Sequence, residues 1–520
     1  MLEEKEFAND FSSDIIGNKS KKDSKILFIV ISIVSIIVLS LVLILIIIIK
    51  SKKSGNKSII GEINCIFNIE ITSLDTRILG ENFKLSDLDI FVNNEKIKIS
   101  KFFRFTSFGM NNVTFKLYEN IQMDYMFQDV YYLYSVEMNT NKNAKILSMK
   151  STFENCINLE KISISNFDTS SMKSISKLLY KTNSPKLILN NFDTSNVEDM
   201  SYLFASTKYE KIDLSLFNTK NVKDISYMFY DCSSLNEIDF SKLNTNNVKN
   251  MSNLFYNCYS INDFDLSTFD TSQVEDMSHM FEKNIFTTIN LDNFKTQNVI
   301  DMSYMFENCN ELKNLDLNNF YTKKVKNMSH MFKYCNSLVD LKINIFNTEQ
   351  VTNMAEMFYS CRSMTSIDIN NFNTKNVEDM SYLFFSCFVL ISLNIQNFET
   401  NNVRNMSNLF GECFSLQSIE LSKFDTSNVI DMSGMFLDCS KLSELRLSNF
   451  RTNNVKNMSQ MFEGCNTLSE IDVSNFNTEK VEDMSKMFKF CSSINTLNLD
   501  NFNTKSVKDM SSFFQNCSNL

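Results

Sequence analysis

The chain has 520 residues, of which 43% are apolar, and its formal net charge at pH 7 is −10. One proline and eight glycines are too few for a collagen-like chain or for a disordered chain rich in those residues. Acidic and basic residues are interspersed, without the long basic run beyond the N-terminal tail that a nucleic-acid-binding protein would need. The composition therefore predicts a folded protein that has no nucleic-acid partner.

The first sixty residues are dominated by one apolar segment. Residues 1–25 are polar, and we expect them to form a disordered cytosolic tail. Residues 26–49 contain three serines and no charge, and a helix of that length reaches roughly 36 Å, enough to cross a ~30 Å hydrocarbon core. The segment is longer than the apolar part of a signal peptide and lacks its small-residue cleavage site. We therefore predict an uncleaved transmembrane helix, followed by a Lys/Ser/Gly stalk at residues 50–61.

The segment that follows, residues 62–118, predicts a small β module. The stretches NCIFNIEI, DIFVNNEKIKI and VTFKLY are short apolar runs separated by Asn-Asn pairs and glycine. This pattern is typical of strands joined by hairpins. We expect the module to cover the first unit of the region that follows it.

From residue 119 to residue 520 the chain repeats itself. A methionine, or an isoleucine at two positions, recurs sixteen times from Met123 to Met510, mostly within D/N-M-S, at intervals of 26 residues apart from three of 25. Such a period is typical of a solenoid, in which each unit buries its apolar face against its neighbours. The chain stops at CSNL, where the next strand is due. Since solenoid ends normally need capping, we expect a truncated C-terminus.

Within one repeat the spacing of the apolar residues changes. In the repeat at Met458 one group falls at the helical spacing i, i+3, i+4 and i+7: Met458, Met461, Phe462 and Cys465. Asn457 is placed to cap that helix. Leu468, Ile471 and Val473 then have the alternating spacing of a strand. The repeat therefore predicts a short helix and a short strand in each of about sixteen units.

The blocks FNT, NV, DMS-x-MF, C and L-x-x-I-x-L resemble the 26-residue repeat of bacterial surface proteins, the BspA-like branch of the leucine-rich repeats. The resemblance extends over roughly residues 120–520, although Phe476 and its equivalents stand where the common leucine-rich repeat has an asparagine. It implies a leucine-rich-repeat-like solenoid on a cell surface. It also implies adhesion or recognition without enzymatic activity.

Twelve of the thirteen cysteines share one position of the repeat: Cys156, Cys232, Cys258, Cys309, Cys335, Cys361, Cys387, Cys413, Cys439, Cys465, Cys491 and Cys517. Elsewhere that position holds Thr182, Thr207 or Asn284, which can bond to backbone but cannot form a disulfide. We therefore predict a buried ladder of structural thiols. Disulfides between neighbouring repeats are the alternative. Without a C-x-x-C pair or a Cys/His cluster, a metal site is not expected.

The outward position at the middle of the strand is a candidate binding face. Its charged residues are Asp213, Asp239, Asp265, Asp316, Lys342, Asp368, Glu420, Arg446 and Asp472. The excess of acids would attract a basic partner or a cation, although solvated strand residues would look the same. His279 and His330 share a different position, whose occupants vary, so we expect both to be exposed.

Five sequons are candidates for glycosylation in a eukaryotic secretory route: Asn112, Asn250, Asn327, Asn405 and Asn457. The motifs of serine hydrolases, P-loop proteins and zinc proteases are missing, so no catalytic residue and no cofactor is expected. Four lysines precede the apolar segment and four follow it, so charge bias does not set its orientation. We predict a single-pass surface protein with extracellular repeats that recognise a protein or surface ligand. The alternative is a cytosol-facing scaffold with the same solenoid.

Overall fold

The computed structural model describes residues 30–45, 58–85, 88–140, 144–183, 185–261 and 263–520. The chain forms two compact units, Met1–Ile59 and Ile60–Leu520. In the first unit residues 30–45 are helical. Among the described residues, none of the helices combines the length and the apolar character that a membrane crossing requires. The predicted tail and both ends of the predicted 26–49 helix lie outside the described residues, so the transmembrane helix stays a prediction.

The second unit begins with six strands: β1 (Gly61–Ile69), β2 (Thr76–Arg77), β3 (Leu88–Val92), β4 (Glu95–Ile97), β5 (Phe102–Phe103) and β6 (Gly109–Leu117). Alternate residues of β1 are buried, as expected of a sheet with one face against a core. Strands β1 and β6 pair antiparallel along their whole length. Strands β3 and β4 extend the sheet beyond β6, while β2 pairs with β5 separately.

The repeats continue the same sheet. Strand β7 (Ile121–Gln122) pairs in parallel with β9 (Ile146–Ser148). Strand β8 (Leu133–Asn139) pairs antiparallel with β1 but parallel with β10 (Lys161–Ser165), and β11 (Lys186–Asn190) follows β10 in parallel. The resulting order is β11-β10-β8-β1-β6-β3-β4. The change from antiparallel module to parallel solenoid therefore takes place at β8, inside one sheet.

The D/N-M-S-x-M-F segment of each repeat, or rung, is a series of turns, so the predicted helix is wrong. In the rung of Met200, Tyr202 and Ser206 have φ of 58° and 52°, the left-handed region, which breaks helical hydrogen bonding. The Leu203 N–H donates to the Met200 carbonyl at 3.2 Å. The Tyr202 and Phe204 N–H groups instead donate to the next rung, at 3.0 Å each. The residues predicted as the inward face of the helix are nevertheless buried.

This turn segment holds the rungs together. Its first residue forms a continuous column of parallel bridges from Ser174 to Asp509. In the rung of Met458, the Asn457 Oδ1 accepts the Ser459 N–H at 3.0 Å, so the predicted cap closes a turn, not a helix. Together with the parallel strand pairs, this column of bridges makes the repeats a β-solenoid.

The threonine of the F-N-T block is a second link between rungs. The Thr194 hydroxyl donates to the Asn218 carbonyl at 3.0 Å and accepts the Asn218 N–H at 2.7 Å. The same reciprocal pair joins Thr478 to Asn503. Because these hydroxyls are buried, losing one would leave backbone groups unsatisfied.

The predicted strand is hydrogen-bonded in only part of the solenoid. After β11 it is formed as β12 (Lys211–Ile212), β13 (Glu237–Ile238), β14 (Asn314–Asp316) and β15 (Asp340–Lys342), with 3-10 turns at Leu214–Leu216 and Phe240–Lys242. Beyond Lys342 the described residues add only isolated bridges in this column. The inward pattern is kept, since Leu468, Ile471 and Val473 are buried. The strand side of the rungs is therefore more loosely joined than the turn side.

Candidate functional site

The predicted acidic strip on the strand side is exposed along its whole length, including Lys342 and Arg446. Most of its acids, however, accept hydrogen bonds within the turn that each of them begins. The Oδ1 atoms of Asp265 and Asp472 accept the N–H of the serine two residues later, at 3.1 and 3.0 Å. Hydrogen bonds from the same serines, from the hydroxyl first, lower the pKa of both carboxyls. The strip therefore has a local structural role, and its role as a binding face stays a prediction.

The cysteine ladder is buried and made of free thiols, with Cys517 half-buried at the last rung. Each thiol in the register donates to a backbone carbonyl, as Cys465 Sγ does to the Phe436 carbonyl of the preceding rung at 3.2 Å. Asn284 replaces the thiol and donates to the equivalent carbonyl of Phe255 at 2.8 Å. Burial raises the pKa of the Cys387 thiol to about 12, so these thiols are poor nucleophiles. Among the described residues, no group of His, Cys, Asp and Glu is arranged to hold a metal ion.

The five candidate sequons differ in accessibility. Asn112 is exposed on β6. Asn250, Asn327, Asn405 and Asn457 are half-buried, and the Oδ1 of each accepts the N–H of the serine two residues later. Asn112 is therefore the most accessible of the five.

A different surface concentrates the unusual side chains. We define the turn face by three positions of each rung: the residue after the serine of D/N-M-S and the two residues after the phenylalanine. In one rung these positions hold Tyr227, Tyr230 and Asp231. The first and the third have positive φ, 58° for Tyr227 and 57° for Asp231. Left-handed backbone costs roughly 1–2 kcal/mol for most residues and little for glycine or asparagine. The turn face therefore places large side chains at positions where glycine or asparagine would have a lower conformational free energy.

These large side chains form one continuous stretch, the tyrosine ribbon, which we define as the turn face from Lys177 to Ser386. Its nine tyrosines are Tyr180, Tyr202, Tyr227, Tyr230, Tyr256, Tyr304, Tyr334, Tyr359 and Tyr382. Its charges balance, with four lysines (Lys177, Lys181, Lys283, Lys333) against four acids (Asp231, Glu282, Glu307, Glu356). Beyond it, the turn face holds small residues such as Asn408, Gly434 and Gly464 as well as larger ones such as Lys486 and Phe490. The fold itself thus accepts small residues at these positions.

Several rings of the ribbon stack face to face. Tyr202 and Tyr227 lie 4.2 Å apart between centroids, and Tyr230 and Tyr256 lie 4.4 Å apart. His279 and His330 stack on either side of Tyr304, each at 4.2 Å. Our expectation that both histidines are exposed is wrong, because stacking leaves their side chains only 30% and 16% accessible.

The centroid distance between near-parallel rings at equivalent positions of neighbouring rungs indicates how far apart the rungs lie. This distance grows from the turn face across the solenoid. At the turn face it is 4.2 Å for Tyr202 and Tyr227, 4.4 Å for Tyr230 and Tyr256, and 5.1 Å for Tyr359 and Phe385. In the core it is 5.9 Å for Phe306 and Phe332, and at the far side 6.5 Å for Phe346 and Phe372. The rungs therefore converge on the turn face and spread on the strand side. The turn face is the inner, concave side.

The middle of the ribbon contains a cluster of ionisable groups. His279 Nδ1 lies 2.5 Å from Glu282 Oε2, and Lys333 Nζ lies 2.6 Å from Glu356 Oε2. Glu307 is buried, with Lys333 Nζ 3.9 Å away. Burial, helped by the nearby Glu282, raises the pKa of Glu307 to about 7. Burial also lowers the pKa of His330.

Glu307→Gln is expected to stabilise the protein by about 1–2 kcal/mol at pH 8 and much less at pH 5, after allowance for residual solvent and Lys333. A carboxyl with a folded pKa of about 7, above its unfolded value, stabilises the fold when protonated and loses that contribution as pH rises from about 4.5 to 7. Thermal unfolding of both proteins between pH 5 and 8 measures the difference.

The matched control is Glu311→Gln, which makes the same substitution at an exposed carboxylate of the same rung and should change stability by less than about 0.5 kcal/mol. If Glu307→Gln were neutral or destabilising at pH 8, Glu307 would be charged and well solvated. The neighbours His279, Glu282 and Glu356 stay unchanged in both variants, so the comparison isolates one group.

Comparison with known proteins places the repeats in a family. The family model described as "Mycoplasma protein of unknown function, DUF285" matches at residues 97–208, 147–264, 233–340, 310–420, 357–449, 390–471 and 438–520. A crystal structure of a leucine-rich repeat protein from Eubacterium ventriosum is similar over 72% of this chain and 94% of that chain, with 17% identity and a TM-score of 0.34. None of the curated proteins matches the sequence.

The family matches overlap, and together they extend from residue 97 to residue 520, well over half of the chain. Their description does not name the BspA-like branch, so that finer resemblance stays a prediction. The chain belongs to the DUF285 family of mycoplasma proteins.

Proposed function

We propose that this chain is a non-enzymatic recognition protein, held on a cell surface by an N-terminal membrane anchor, whose solenoid binds other proteins. The observation that carries the proposal is the contrast between core and surface within the repeats. Methionine, phenylalanine and valine recur at buried positions, while the turn face holds tyrosine, histidine, lysine, glutamate, asparagine or glycine. A constant core under a variable surface is how repeat proteins build extended binding surfaces.

The anchor is supported by the sequence of residues 26–49, which is apolar and free of charge. Binding along many rungs would let weak contacts act together, because contacts on one rigid body are made at high effective concentration. A second candidate is the cytosol-facing scaffold. The thirteen free cysteines favour it, since thiols persist in reducing compartments.

A topology experiment separates the two candidates. The full chain is expressed with an epitope tag behind a linker that carries a specific protease site, placed after Leu520. On intact cells, the protease should release the C-terminal tag. A second version, tagged before Met1, should keep its tag until the cells are lysed. Protection of the C-terminal tag until lysis would contradict the surface proposal and favour the scaffold.

A further inference from the structure

We propose that the tyrosine ribbon is the recognition surface of the solenoid and that its ligand is a polypeptide of another protein. This inference rests on the proposed function and assigns it to the side opposite the acidic strip. Three observations carry the assignment: the run of stacked rings at positions where the fold does not require them, the convergence of the rungs, and the chemistry that the stacked rings leave accessible.

The backbone conformation shows that the fold does not require large side chains at these positions. Tyr202, Tyr227, Tyr304 and Tyr382 all have φ between 55° and 60°. Stacking returns about 0.5–1.5 kcal/mol per pair, which roughly offsets the conformational cost. Asn253 and Asn408 occupy the same position without that cost. Left-handed backbone also occurs outside the ribbon, at Gln460 and Lys486 for example, so the ribbon is distinguished by its run of stacked rings and not by its backbone.

The convergence of the rungs makes this region concave. Equivalent rings are 4.2–5.1 Å apart at the ribbon and 6.5 Å apart on the far side. A concave surface brings side chains of several rungs within reach of one ligand, whereas the residues of the acidic strip diverge. The ribbon also offers polar groups at its centre, where Lys283 donates to the Tyr256 hydroxyl.

The groups that remain accessible on the ribbon indicate which class of ligand it binds. Stacking covers both faces of Tyr304 and one face each of Tyr202 and Tyr227, which reduces the area on which a sugar can stack and leaves ring edges and hydroxyls accessible. Four lysines balance four acids, so the ribbon lacks the excess positive charge that phosphates attract. Tyrosine edges and hydroxyls flanked by charges of both signs suit a polypeptide, because tyrosine offers rigid amphipathic contact area at low entropic cost.

The test uses the full chain in detergent micelles and a displayed library of random 12-residue peptides as the probe. Peptides selected on the wild type should bind the Tyr227→Asn, Tyr304→Asn double variant at least tenfold more weakly. They should bind the strip variant, Asp265→Asn with Asp316→Asn, within twofold of the wild type. Asparagine is the residue the chain itself uses at Asn253 in the same position, and equal or higher thermal midpoints verify that the ribbon variant is folded.

Each other outcome overturns the proposal in a distinguishable way. Peptides whose binding is lost only in the strip variant would contradict the ribbon and leave the proposed function standing. A library that yields no saturable peptide would contradict both. An array of cell-surface oligosaccharides is probed in parallel, and oligosaccharide binding that the ribbon variant loses would overturn the assignment to a polypeptide.

Discussion

Replacing Phe358 with alanine is expected to lower the free energy of unfolding by about 3–5 kcal/mol. The ring is fully buried and lies 5.7 Å from Phe332 and 5.6 Å from Phe384 between centroids. Removing it leaves a cavity in contact with both neighbouring rungs. Since each rung is stabilised mainly by the two beside it, one substitution weakens two interfaces. Chemical denaturation followed by circular dichroism measures the loss.

The exposed Tyr321, with 66% of its surface accessible, supplies the control. Tyr321→Ala should change stability by less than about 0.5 kcal/mol. We also expect Phe358→Ala to separate unfolding into two transitions, because the rungs on either side lose their coupling. A loss below about 1 kcal/mol with a single transition would mean that the phenylalanine column does not couple the rungs.

Replacing Gly80 with alanine is expected to cost roughly 2–4 kcal/mol and to detach the β module from the first rung. An added Cβ would overlap the backbone carbonyl oxygen of Tyr125. That carbonyl cannot move away easily, because it accepts the Gln128 N–H at 3.2 Å while the Tyr125 N–H donates to the Lys150 carbonyl at 2.9 Å. The Gly80 N–H bond to the Met126 carbonyl, 2.8 Å long, would therefore break. Amide hydrogen exchange should show lost protection at residues 121–148.

Gly109 provides the comparison for that substitution. Its φ is +76° and an added Cβ would meet nothing within 4 Å, so Gly109→Ala should cost about 1 kcal/mol from backbone strain alone. It should leave exchange in the first rungs unchanged. Equal effects of the two substitutions would show that strain, not the junction with Tyr125, determines the stability of this end.

Which residues are buried follows from the sequence, but the backbone that buries them does not. Met458, Met461, Phe462 and Cys465 fit one face of a helix, and all four are indeed buried. Turns with a left-handed residue every fourth position place the same four side chains inward. Gly434 and Gly464 at those positions were the signal against a helix, because glycine favours left-handed backbone and weakens helices.

The local role of the acids in the strip was missed for a related reason. Alternation correctly predicts that Asp265 and Asp472 point outward, yet the serine two residues after each is the mark of a turn that uses the carboxylate locally. The tyrosine ribbon was not predicted, because Tyr202 and Tyr227 look like ordinary exposed residues once the segment is taken for a helix. Which side of a solenoid is concave depends on small differences in spacing between rungs, and these are set by packing and not by the repeat.

The hydrogen bonds that join one rung to the next all run along the stacking axis, including the reciprocal bonds of Thr194 and Thr478. A pull applied between the two ends of the solenoid therefore loads these bonds in series, and the weakest interface yields first. Each rung that detaches would release about 26 residues, which extend to roughly 90 Å of chain. Under tension the solenoid would lengthen stepwise and dissipate mechanical work, while the remaining rungs keep their surface intact.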